Sequence, residues 1–218
     1  MFSRKLVLRI LILFVGLVAV VPARAANVTL FTNRAAFIAA STNLQNIDFE
    51  GIAPENSVSP QLVSLTLLGV TFSDTPPTTI SVVDDGFFAP LFDFGSGASL
   101  AGGVNIRAVL PSGITAVGSD VMSALGNGPF VIVLSSGESF TVPTGAAPNR
   151  LFAGFTSDQA ISFIIFNRTT ALPLLDNFVF GQAIAGPAAV PEPTTLGLLV
   201  SGLGAFALKR RNKRTQKN

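Results

Sequence analysis

The sequence predicts an all-β fold for residues 26–182, an antiparallel β-sandwich with one short N-terminal helix. Three observations carry this. About ten short apolar or alternating runs are separated by turn residues every 8 to 12 positions, the spacing of strands in a sandwich. No repeat of fixed period is visible, which argues against a propeller or solenoid and against a parallel β-helix, the alternative all-β architecture. Sixteen of the nineteen Phe fall between residues 26 and 189, where Trp and Tyr are absent. That is a core-building aromatic with no hydroxyl in need of a partner.

In chain order, residues 28–31 (VTLF) read as the first strand. Thr32 or Asn33 then caps a short helix over residues 34–40, with Phe37 and Ile38 facing inward. Residues 45–50 alternate, Ile47 and Phe49 on one face and Asp48 and Glu50 on the other, until Gly51 and Pro54 end the run. The apolar run 62–72 holds one or two strands with Gly69 a bend or bulge, and 74–77 is a turn. Residues 80–83 form a strand closed by Asp84-Asp85-Gly86. The stretch 87–103 contains four Phe, four Gly and Pro90, and is expected to be a long irregular loop over a sheet edge. Residues 104–110 are a strand with Asn105 and Arg107 on the face opposite Ile106; Pro111-Ser112-Gly113 is a tight turn before the strand 114–122. Runs 130–134 and 139–142 flank Ser135-Ser136-Gly137-Glu138, a hairpin signal. Strands at 151–156, 161–166 and 174–180 complete the set, and 183–189 is a small-residue linker.

Charge and composition exclude several functions. Between residues 26 and 189, four arginines (Arg34, Arg107, Arg150, Arg168) stand against eleven acidic side chains, a net of −7, with no lysine. The formal +2 of the whole chain therefore comes from its two ends. An acidic surface repels phosphate backbones, so nucleic acid is not an expected partner. Cysteine and histidine are absent throughout. Disulfides, thiolate or imidazole metal sites, Cys nucleophiles and Ser-His-Asp triads are thereby excluded.

Both ends carry targeting features. Arg4, Lys5 and Arg9 precede an apolar stretch at 10–21, and Ala23-Arg24-Ala25 is an A-x-A cleavage site; residues 1–25 read as a Sec signal peptide cut after Ala25. At the other end, Pro191-Glu192-Pro193 fixes an extended segment with two backbone donors removed. A transmembrane helix is expected at about 194–208, 15 residues against the ~20 of a stable span, and a basic tail follows at 209–214. An apolar segment followed by Lys/Arg predicts a cytoplasmic C-terminus.

This order of parts over residues 190–214 resembles the PEP-CTERM sorting signal of Gram-negative bacteria, with Pro191, Glu192 and Pro193 as the matched motif. The resemblance implies recognition by an exosortase, a membrane-embedded protease, after export by the Sec machinery. It further implies transient anchoring in the inner membrane and release to the cell surface or an exopolysaccharide matrix.

Ile47-Asp48-Phe49-Glu50-Gly51 near the start and Leu175-Asp176-Asn177-Phe178 near the end resemble the jelly-roll domains of the galactose-binding-like and carbohydrate-binding-module kind. That resemblance implies a jelly-roll-like sandwich and a structural calcium held by Glu50 and Asp176, with Asp48 and Asn177 as further donors. Calcium wants six to eight oxygens, which such a site could assemble. Asp84, Asp85 and Asp93 form a second acidic cluster, which reads as a turn because it lacks the order of a calcium loop. The preferred function is a non-catalytic protein of the cell surface or extracellular matrix, associated with exopolysaccharide or biofilm. A carbohydrate-binding module is the alternative; without Trp or Tyr only Phe could stack on a sugar, Phe87, Phe88, Phe92 and Phe94 being the candidates. A carboxylate-based glycoside hydrolase is the third reading, and no acidic pair stands out for it.

Overall fold

The structure, a computed structural model, describes residues 26–87, 97–124, 128–146, 149–169 and 172–184. The predicted signal peptide with Ala23 and Ala25, the motif Pro191, Glu192 and Pro193, the helix at 194–208, and Phe88, Phe92, Asp93 and Phe94 lie outside the described residues. No helix among the described residues is long and apolar enough to cross a membrane.

Fourteen strands and one short helix are described: β1 (Val28–Phe31), α1 (Arg34–Ala39), β2 (Ser41–Ile47), β3 (Ser64–Leu67), β4 (Val70–Ser73), β5 (Ile80–Val83), β6 (Ser99–Gly102), β7 (Asn105–Val109), β8 (Ala116–Ser123), β9 (Phe130–Leu134), β10 (Ser139–Val142), β11 (Gly145–Ala146), β12 (Leu151–Ser157), β13 (Phe163–Arg168) and β14 (Pro173–Ala183). They form two sheets. One has the order β1-β12-β8-β14-β6-β5, with β2 also on β14 and the two-residue β11 parallel to β8. The other has the order β10-β9-β13-β7-β4-β3. Every pairing apart from that of β11 is antiparallel. The described residues form an all-β sandwich, as the turn spacing predicts.

The two sheets share one core because alternate side chains of each point at the other. In the six-stranded sheet, β9 buries Phe130, Ile132 and Leu134 while Val131 and Val133 are half-buried on the opposite face. Strands β4, β7 and β13 alternate the same way, sending in Val70, Phe72, Ile106, Ala108, Ile164 and Phe166. The eight-stranded sheet answers with Leu100, Val117, Val121, Phe155, Leu175, Phe178 and Phe180. Phe49, Phe72 and Phe178 meet edge to face at centroid separations of 5.3 and 5.1 Å. Each fully buried Phe contributes about 1.5–3 kcal/mol by area alone, so phenylalanine is the main glue of this disulfide-free domain.

Three sequence expectations need correcting, and a fourth, one or two strands over 62–72, resolves to two. The loop expected across 87–103 contains β6, four residues that pair with both β5 and β14. Ser-Leu-Ala-Gly is too poor in β-branched residues to read as a strand, and its pairing on both sides supplies what propensity does not. Ile38 is 48% exposed whereas Phe37 is fully buried. Adjacent helical positions differ by about 100° in direction, so a helix of six residues lying on a sheet can turn only one of the two inward. The strand expected at 45–50 starts earlier, at Ser41, and stops at Ile47; Phe49 reaches the core from φ 62°, outside the strand. Residues 62–72 are two strands joined through Leu68 and Gly69, both at positive φ, the two-residue turn whose twist suits a hairpin.

Candidate functional site

Strands β8 and β14 lie side by side in the middle of the eight-stranded sheet. Val117 and Val121 of β8 point into the central core, whereas Ala116 and Met122 join smaller apolar clusters on the sheet's other face. Asp120 shares the second orientation by alternation. The register sets Asp120 directly opposite Asp176 of β14, and both are buried, at 8% and 1% exposure. Two carboxylates opposite one another repel, so the surroundings must offset them.

Two residues do so. Register slips by one residue between Asp176 and Val179, a β-bulge that puts Asn177 at φ 47°. Asparagine tolerates this left-handed conformation better than most residues. The bulge turns its amide back onto the acids: Asn177 Nδ2 donates to Asp176 Oδ2 at 2.8 Å and to Asp120 Oδ2 at 3.3 Å, and its backbone N–H donates to Asp176 Oδ1. The second residue is Arg34, whose Nη2 lies 2.9 Å from Asp120 Oδ1 and donates to the Asn177 carbonyl at 2.9 Å. Below the carboxylates, the Ser119 hydroxyl is 2.9 Å from the main-chain oxygens of both Asp120 and Asp176.

Helix α1 brings Arg34 there. Asn33 caps it by accepting from the Ala36 N–H at 3.0 Å. A cation in the first turn opposes the helix dipole, so Arg34 is placed by its carboxylate partner. Underneath, Gly118 of β8 faces Gly154 of β12, and the missing side chains leave a trough for the Phe152 ring. Phe37 packs on that ring at 5.4 Å, and the Arg34 guanidinium stacks over it at 4.6 Å. The cluster cross-links β8, β14 and α1.

The segments 47–51 and 175–178, singled out as a pair by the sequence, do lie together, since β2 pairs with β14 in the register Ile47↔Phe178. Their acids have different surroundings. Asp176 and Asn177 are joined in the buried cluster. Asp48 and Glu50 are exposed, Asp48 accepting the Glu50 N–H and Glu50 Oε1 accepting the Ala98 N–H at 2.9 Å. Among the described residues no group of three or more acidic side chains could hold a metal ion. Asp84 accepts the Asn56 N–H at 2.6 Å in a turn, as its Asp-Asp-Gly sequence suggests. Arg34 and Asp120 were not legible as partners: their meeting depends on a cross-strand register and a helix seat that spacing along the chain does not encode.

Comparison with known proteins identifies the C-terminus. Residues 189–214 match the PEP-CTERM protein-sorting motif. The chain therefore carries a PEP-CTERM signal, which implies exosortase-dependent sorting of an exported, membrane-processed protein. No curated protein matches the chain.

Proposed function

We propose that this is a non-catalytic protein of the cell surface or extracellular matrix, associated with exopolysaccharide or biofilm and delivered there by its C-terminal signal. The match at 189–214 carries the reading. In this proposal the Sec machinery exports the chain and a signal peptidase cuts after Ala25. The segment at about 194–208 then holds the precursor in the inner membrane with residues 209–214 in the cytoplasm, and an exosortase cuts near Pro191, Glu192 and Pro193. The short span, interrupted by Gly197, Gly202 and Gly204, suits a helix that must unwind for a protease, each Gly weakening it by roughly 1 kcal/mol relative to Ala. The jelly-roll-like description of the domain rests on how often the chain changes sheet, for example at β6–β7, β7–β8 and β8–β9. The non-catalytic reading is supported by the closest-set acids of the sheet, Asp120 and Asp176, being buried and engaged by Arg34 and Asn177.

The test replaces Pro191-Glu192-Pro193 by three alanines and reads the C-terminus of secreted and membrane fractions by mass spectrometry. The expected parent protein is surface-exposed and ends near Pro193, while the variant stays full-length in the membrane. Intact Asn218 on surface-exposed parent protein, with the variant identical, would show the segment to be a permanent anchor.

A further inference from the structure

The outward face of the six-stranded sheet carries a groove of about 400 Å³ over β3, β4, β7 and β13. Volumes of roughly 300–1,000 Å³ are usual for small-ligand sites. Register places Ser64, Ser73, Arg107 and Ile165 side by side in one row across four strands. Thr71 and Asn105 line the groove beside them. Arg107 is exposed, and its guanidinium lies over the Phe163 ring at 4.6 Å. Contact with the ring leaves the edge of the planar fork free for a two-pronged grip on a carboxylate.

The groove's one acid forms no ion pair with Arg107. Asp74 is buried at 6% and its carboxylate is taken up by four backbone N–H groups, those of Thr75, Gly103, Val104 and Asn105, at 2.6, 2.6, 3.0 and 2.9 Å. No ion pair or hydrogen bond engages the Arg107 guanidinium among the described residues; Phe163 alone holds it. The groove thus offers one cation in a row with the Ser73 and Ser64 hydroxyls; the Thr71 hydroxyl, bonded to Thr66, and the Asn105 amide, donating to Thr75, keep further capacity to donate and accept as sugar hydroxyls do. Ile165 and Val63 supply apolar wall for the C–H face of a ring.

We propose that this groove binds a carboxylate-bearing sugar unit, a uronate within a polysaccharide. Arg107 grips the carboxylate by its fork, and Ser64, Thr71, Ser73 and Asn105 exchange hydrogen bonds with ring hydroxyls. The site rests on the exopolysaccharide part of the proposed function and names the sugar class it would take; it does not depend on how the C-terminus is processed. Because residues 26–189 carry a net charge of −7, general attraction for polyanions is absent, and affinity has to come from this local contact.

The test is calorimetric titration of the full-length chain in detergent with polygalacturonate, with dextran as the neutral sugar polymer and polyglutamate as the carboxylate polymer without sugar. Polygalacturonate is expected to bind at least tenfold more tightly than either. Arg107→Gln should lose that binding. Arg107→Lys, which keeps the charge and loses the fork, should weaken it at least threefold. Ser73→Glu, which sets a competing carboxylate beside the guanidinium, should abolish it in a chain that melts like the parent, and serves should Arg107→Gln not fold. Absence of polygalacturonate binding, equal binding of polyglutamate or dextran, or undiminished binding by these variants would overturn the proposal. The C-terminal mass of the protein is unaffected by any of these outcomes, so the site and the sorting route fail separately.

Discussion

Asn177 donates to two carboxylates that face each other across the sheet, Asp176 at 2.8 Å and Asp120 at 3.3 Å. Its position at φ 47° in a β-bulge makes this reach feasible. Backbone and amide contributions are separable. Asn177→Gly keeps the left-handed conformation and loses the amide, with an expected destabilisation of about 1–2 kcal/mol from poorly satisfied buried carboxylates. Asn177→Ala adds backbone strain of about 1 kcal/mol more. Urea unfolding of the two variants checks the order; equal stability of both with the parent would show that the amide is dispensable.

Arg34 pairs with Asp120 at 2.9 Å, and its side chain is 29% exposed. Removing one partner of a fully buried pair costs about 3–5 kcal/mol, and partial exposure lowers the expectation to roughly 2 kcal/mol for Arg34→Met. Asp120→Asn in the same chain should recover part of the loss, because the like-charge pair opposite Asp176 is then relieved. A double-mutant cycle with no coupling energy would reduce the contact to a surface ion pair.

Gly154 has no room for a methyl group. A Cβ there would sit 2.7 Å from both Phe37 Cδ2 and Phe152 Cε1, two rings locked by their own packing. Gly154→Ala should destabilise by about 1–3 kcal/mol, and Phe152→Leu in the same chain should lessen the added penalty. Thermal melts of the single and double variants report this; an unchanged midpoint for Gly154→Ala would mean that the trough is not filled as described.

Calcium should not shift the melting temperature at millimolar concentration. Arg34 already pairs with Asp120, Asn177 donates to both buried acids, and Glu50 accepts the Ala98 N–H. A ligand that binds only the folded state raises the melting point by mass action. A calcium-dependent rise that Glu50→Gln removes would establish an ion shared by Glu50 and Asp176.

Legibility in the sequence followed exposure. The six-stranded sheet has one outward face, so its strands alternate, and β9, β10 and the turn between them could be placed from Ser135-Ser136-Gly137-Glu138 alone. Strand β8 is buried on both faces and betrays no alternation, though its length and apolar character still mark it. Strands β6 and β11 were illegible because small residues and glycine carry no period. At the polar cluster, Asp176 and Asn177 stood out as neighbours, but the role of Arg34 follows from the seat of α1 on Phe152, and that of Asp120 from a register. Both are tertiary facts.

The last strand of the domain is also among its most central. β14 pairs with β8 along one side and with β2 and β6 along the other, and it ends at Ala183, a few residues ahead of Pro191. A chain threaded out N-terminus first would expose β2, β6 and β8 with their edges open until this final piece follows. Contacts so distant in sequence form late and slowly. Maturation therefore has a built-in order: the domain cannot close until nearly everything before the tail has been delivered. A polypeptide cut short before Pro173 would lack the strand that joins β8 to β2 and β6, and would meet proteases with those edges open.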